Sequence, residues 1–160
     1  MPSLVGSEMC IRDRYIIREL LDFKPESSRT NLQCAIEYLT NVLKKRCTAF
    51  MLSDFIDDND FKNALTVANR KHDVVAVQVY DKRMEELPDV GLMLVRDAET
   101  GHEEWIDTSS KSLRKTHHDW WVERQKKLND AFNLCNVDSV SVRTDQDYVR
   151  ALLNLFAKRN

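Results

Sequence analysis

Glycine is scarce in this chain, with three in 160 residues: Gly6, Gly91 and Gly101. Cradling a phosphate with backbone N–H groups needs glycines in close spacing, so neither a G-x-G-x-x-G turn nor a P-loop exists, and nucleotide binding of those two kinds is excluded. No C-x-x-C pair exists either. Cys10, Cys34, Cys47 and Cys135 are widely spaced, which suggests neither a zinc site nor a disulfide framework. Such cysteines are expected to behave as small buried hydrophobes in a reducing compartment, and the expected location is cytoplasmic. No apolar run is long enough to span a bilayer, and no basic start followed by an apolar stretch marks a secretory signal. An excess of one charge is missing too. The 24 basic and 26 acidic residues leave a net charge of -2, so no global field draws in nucleic acid or an anionic membrane.

What is present reads as an ordinary globular domain. Hydrophobic residues make up 42% and charged residues 31%, enough to bury a core without disorder. The opening Met1–Arg14 shows no clear period. It resembles a translated sequencing-adapter tail and is set apart as a non-native or disordered segment, leaving 15–160 as the domain. From Tyr15, Ile16, Ile17, Leu20 and Leu21 recur at helical spacing, and Pro25 stops that helix. After a loop at Ser27 and Ser28, the run Leu32, Ala35, Ile36, Leu39, Val42 and Leu43 predicts a helix to about Lys45, with Thr30 or Asn31 as its N-cap.

Short apolar runs then alternate with helices. Cys47–Leu52 and Asp73–Tyr80 read as central parallel strands, separated by a helix over Asp60–Lys71. Leu92–Asp107 reads as two short strands around a turn at Asp97–Gly101. Ser109 or Ser110 caps a long helix to about Leu134, Val137–Val142 is a further strand, and Thr144 with Asp145 and Asp147 opens the last helix. This alternation predicts an α/β fold: a partial doubly wound, Rossmann-like, mostly parallel sheet flanked by helices.

In such sheets ligands bind at the C-terminal strand ends. Ser53 and Asp54 follow the first strand, Asp81 follows the second, and Thr30 starts the helix feeding the first. Thr30 and Asp54 are hard oxygen donors suited to Mg²⁺, Mn²⁺ or Ca²⁺, although those ions take about six or more oxygens. The plain alternative is that Thr30 only caps a helix and Asp54 only caps the next turn.

The stretch S-R-T-N-L, then Ala35-Ile36-Glu37-Tyr38-Leu39, K-K-R and A-F-M-L-S-D-F, resembles the bacterial domain-of-unknown-function family fifty-eight. The likeness continues through R-K-H-D-V-V-A-V-Q-V-Y-D, E-L-P-D-V-G and D-A-E-T-G, covering about Tyr15 to Gly101, with a weaker match to the end. Domains of that family are von Willebrand factor A-like, which implies that this chain is the C-terminal part of one. The resemblance implies a metal-ion-dependent adhesion site in which Thr30 matches the threonine and Asp54 the aspartate. The third part, D-x-S-x-S, occurs nowhere in this chain, and Arg29-Thr30-Asn31 stands where the family often has G-T-D. The implied function is a non-enzymatic protein-binding module that works with a MoxR-type AAA+ ATPase in assembling or regulating other complexes. It would take Mg²⁺ only together with the upstream D-x-S-x-S, and a partner's carboxylate would complete the metal shell.

The alternative is a metal-dependent phosphoesterase or nuclease using Asp54, Asp81 and the Asp97/Glu99 pair. The turn before Gly101 explains Asp97 and Glu99 more simply. His117 and His118 are adjacent on a helix, about 100° apart, and cannot share a metal as an i, i+4 pair would. His72 ends a helix, where a partial positive charge suits the dipole. Ser53 has no G-x-S-x-G elbow, which argues against a nucleophilic hydrolase.

Overall fold

A computed structural model describes residues 5–24, 29–57, 59–97 and 99–159. In chain order the elements are α1 (Val5–Asp22), α2 (Leu32–Val42), β1 (Thr48–Ser53), α3 (Lys62–Lys71), β2 (Asp73–Tyr80), α4 (Lys82–Glu85), β3 (Leu92–Arg96), β4 (Glu103–Asp107), α5 (Lys111–Leu134), β5 (Asp138–Arg143) and α6 (Tyr148–Arg159). The first helix runs unbroken through Arg14 and Tyr15, so its start lies ten residues before the expected one. Pro25, Ser27, Ser28, Ala98 and the first four residues lie outside the described residues.

The sheet is mixed α/β in character, as the alternation requires. β1 pairs with β2 in parallel, Thr48 opposite Asp73, and β2 pairs with β5 in parallel, Val75 opposite Asp138. Its order is β1-β2-β5, with the valine-rich β2 in the middle. Alternate residues of a strand point to opposite faces, and both faces are covered. Val74 and Ala76 meet Leu32 and Ile36 of α2, Leu65 and Ala68 of α3, and Leu128 and Phe132 of α5. On the other face Val75, Val77 and Val142 meet Leu155 of α6. This two-sided covering is the doubly wound, Rossmann-like arrangement. β3 and β4 form a separate antiparallel hairpin, Leu92 opposite Asp107, closed by the expected turn.

Local chemistry sets the helix ends. Asn31, not Thr30, caps α2: its side-chain oxygen accepts the Cys34 N–H at 2.8 Å. α2 ends at Val42 rather than about Lys45, because Leu43 is extended and its N–H closes onto the Leu39 carbonyl. Ser110 caps α5 through the Leu113 N–H. The wholly buried Thr108 anchors the hairpin, donating to the Gly91 carbonyl at 2.7 Å and accepting the Val90 N–H. Of the cysteines, Cys135 is buried as expected, Cys34 is exposed and Cys47 is intermediate; all three are free thiols. No helix is long and apolar enough to cross a membrane among the described residues.

Candidate functional site

The C-terminal end of β1 leads into a loop rich in carboxylates. Ser53 and Asp54 turn the chain: the Phe55 N–H donates to Ser53 Oγ at 3.0 Å and the Ile56 N–H to Asp54 Oδ1 at 3.0 Å. Phe55 sits at a φ of 56°, a left-handed conformation that is unfavourable for a bulky side chain. Core packing holds it there, since its ring stands edge-on to Phe132 at 5.1 Å and is 2% exposed. Buried Gln78 supports the loop from the sheet below. Its amide reaches the Asp54 carbonyl at 3.5 Å, and its oxygen accepts from Ser141 at 2.9 Å.

Three loops meet at this edge. The Leu32 N–H, in the first turn of α2, donates to Asp57 Oδ2 at 2.7 Å. The Thr30 N–H donates to Glu99 Oε1 at 2.9 Å, which brings the β3–β4 turn against the same segment. Arg124 of α5 donates to the Phe55 carbonyl at 3.0 Å. Thr30 and Asp54 thus belong to neighbouring loops at the C-terminal edge of the sheet. What joins those loops is the Asp57 carboxylate rather than the two residues themselves. Burial pushes the Asp57 carboxyl up, but the Asn59 and Leu32 amides, the Asn59 side chain and the Arg124 charge outweigh it and hold the group below its ordinary value. Nothing in the sequence alone marks Asp57, Gln78 or Arg124 as part of this edge. An aspartate-rich loop after a strand was visible, but not which carboxylate reaches α2.

Beside the loop lies a cleft of about 340 Å³, lined by Phe55, Asp57, Asp60, Lys62, Arg124 and Lys127 among others. Its walls carry both charge signs on an apolar floor. Asp81 stands elsewhere along the edge, capping α4 through the Arg83 N–H at 2.7 Å and accepting from Thr144 Oγ1 at 3.4 Å. Asp97 accepts the Glu99 and Thr100 N–H groups at 2.8 and 2.7 Å, closing the hairpin turn. Those two amides, Thr100 first, hold its carboxyl below the ordinary value.

A divalent cation needs about six oxygens. Thr30 and Asp54 supply two side chains, and Asp54 Oδ1 already accepts the Ile56 N–H. Among the described residues no group of three or more His, Cys, Asp or Glu side chains is placed to hold a metal ion. Among the described residues, Thr30 and Asp54 offer two side-chain donors toward such a shell.

The family described as protein of unknown function DUF58 matches residues 2–127. An uncharacterized protein of Mycobacterium avium is 28% identical over 137 residues, which cover 84% of this chain and 79% of that protein. Uncharacterized proteins of Mycobacterium bovis and of Mycobacterium tuberculosis strain H37Rv are each 30% identical over 137 residues, again 84% of this chain. The matched stretch is 42% of the length of each of those two, so the chain spans less than half of them. No solved structure matches.

Proposed function

We propose that this chain, which belongs to the family described as protein of unknown function DUF58, is the C-terminal part of a von Willebrand factor A-like, non-enzymatic protein-binding module. One observation carries the reading: the Leu32–Asp57 and Thr30–Glu99 hydrogen bonds tie three loops into one platform at the C-terminal sheet edge. Loops held on a rigid sheet are where α/β folds place recognition. Beside the platform an open cleft carries carboxylates at Asp57 and Asp60 and cations at Lys62, Arg124 and Lys127, a mixed polar rim suited to a protein surface. The partner we propose is a MoxR-type AAA+ ATPase, with the complex acting in assembly or regulation of other complexes in the cytoplasm. Mg²⁺ belongs to this site only when an upstream D-x-S-x-S adds the oxygens that Thr30 and Asp54 lack.

Calorimetry with Mg²⁺ on this chain and on a longer family member carrying the upstream strand tests the reading. We expect little or no heat from this chain and saturable binding by the longer one, abolished by Asp54→Ala. Tight Mg²⁺ binding by this chain that survives Asp54→Ala overturns it. Co-purification with a MoxR-type ATPase should fall on Thr30→Ala and Asp54→Ala in the longer protein. Phosphodiester hydrolysis lost on both Asp54→Ala and Asp81→Ala would instead identify a metal-dependent phosphoesterase or nuclease.

A further inference from the structure

The β3–β4 hairpin stands at the C-terminal end of the sheet, where the Thr30 N–H donates to Glu99 of its turn. Residues opposite each other in an antiparallel pair share a face, so Leu92, Leu94 and Arg96 lie beside Asp107, Trp105 and Glu103. All six are exposed, Leu92 by 66% and Trp105 by 62%. The hairpin thus carries an outward apolar stripe with charge of mainly one sign around it. Asp97, Glu99, Glu103, Glu104 and Asp107 outnumber Arg96, which itself lies 4.0 Å from Glu103. Like charge keeps two such hairpins from meeting face to face.

The opposite charge gathers at the other end of the sheet. There α2 and α3 finish and lead into the starts of β1 and β2, which brings together Lys44, Lys45, Arg46, Arg70 and Lys71. Lys71 donates to the Thr40 carbonyl, fixing the two helix ends side by side. Among the described residues none of these five cations pairs with a carboxylate. Asp73 and Asp138 lie at the same end, but Arg159 takes up both. Tyr38, Val42 and Val67 are exposed beside the cations, and Val67 lines a groove of about 280 Å³ between α2 and α3 with Thr40, Asn41 and Ala64. We propose that the Leu92, Leu94 and Trp105 stripe of one copy docks on the α2–α3 groove of a second copy, head to tail. Apolar burial supplies the attraction, and the hairpin carboxylates against the lysines and arginines set the orientation. The contact is heterologous: a pair leaves one stripe and one groove open for further copies.

A zero-length carbodiimide cross-linker on a mixture of nitrogen-15-labelled and unlabelled chain, read by mass spectrometry, tests this. β1 spans six residues, about 20 Å at the rise of a strand, so the two surfaces of one copy are too far apart to be joined. We expect links between labelled and unlabelled chains that join Glu103, Glu104 or Asp107 to Lys44, Lys45 or Lys71. Their yield should fall on the order of tenfold between about 0.01 M and about 1 M salt, as the screening length shortens from about 30 Å to about 3 Å. A charge swap tests the direction of the contact. Glu103→Lys with Glu104→Lys, and separately Lys45→Glu with Arg46→Glu, should each self-associate less than the native chain by light scattering at low salt. Their equimolar mixture should recover association, because each altered surface then meets the opposite charge on the other variant. The proposal is overturned by the absence of such links at low salt, by a yield indifferent to salt, or by a mixture no more associated than either variant alone. Should either variant fail to fold, judged by circular dichroism, the links in the native chain decide.

Discussion

Single carboxylates do different work in the Asp54–Asp60 run. Asp54 closes its own turn through Ile56, whereas Asp57 reaches across to the first amide of α2, that of Leu32, and so joins two segments that are distant in the chain. Replacing Asp57 by alanine should cost about 1 kcal/mol near neutral pH, the usual scale for losing a side-chain cap. The pH dependence follows from the lowered carboxyl. Its contribution is complete above the ordinary carboxylate range and is lost as pH falls through the lowered value. Urea unfolding should therefore show the native-minus-Asp57→Ala gap at pH 7 and its closure well below about pH 4. A gap of the same size at both would mean that the carboxylate is not what holds the loop. His72 is the other residue whose role depends on folding. Its place at the end of α3 pointed to the helix dipole, but the structure buries the ring completely and turns it to Cys47.

Among elements, β1 stands out by what it leaves uncovered. Among the described residues it pairs with β2 only, and its sequence TAFMLS carries no charge to deter another strand. Leu52 is 70% exposed and Phe50 is 46% exposed, with its ring edge-on to Phe156 at 6.1 Å. An edge with free N–H and C=O groups beside apolar side chains recruits other chains. We expect light scattering to show self-association that rises with protein concentration. Leu52→Lys should move its onset to higher concentration with little change in melting, since so exposed a side chain contributes little burial at about 25 cal/mol per Å². Identical onsets for the two proteins would place the contact elsewhere. By contrast, α5 and α6 are closed locally and predictably: Ser110 caps α5, and Asp147 accepts the Val149 N–H at 2.9 Å as α6 opens.

Across the whole molecule burial is uneven. The face of β2 under α2, α3 and α5 gathers a large aromatic and aliphatic core, the α6 face a small one, and residues 12–22 of α1 are all exposed. Local stability follows burial, so opening should be graded rather than uniform. Hydrogen exchange should be slowest in β2 and α3, faster in α6, and nearly unprotected in residues 12–22 of α1. Equal protection in α1 and β2 would show that α1 packs on something, which a second copy of the chain could provide.

The order of helices and strands was legible in the sequence because each element carries its own period and its own stop or start signal. The valine run of β2, the 3.6-residue spacing of α2 and the serine before α5 are local properties, and they were enough to imply a parallel sheet with helices on both faces. That Thr30 and Asp54 belong to the same edge also followed, since a helix feeding a parallel strand must begin where that strand ends. What the sequence alone could not decide was which donors meet which acceptors across loops. Glu99 reached Thr30, Asp57 reached Leu32, Arg124 reached Phe55 and His72 reached Cys47 only through tertiary packing. The physical reason is range: a helical period is set by neighbours three and four residues away, while these bonds depend on how separate elements pack over one sheet.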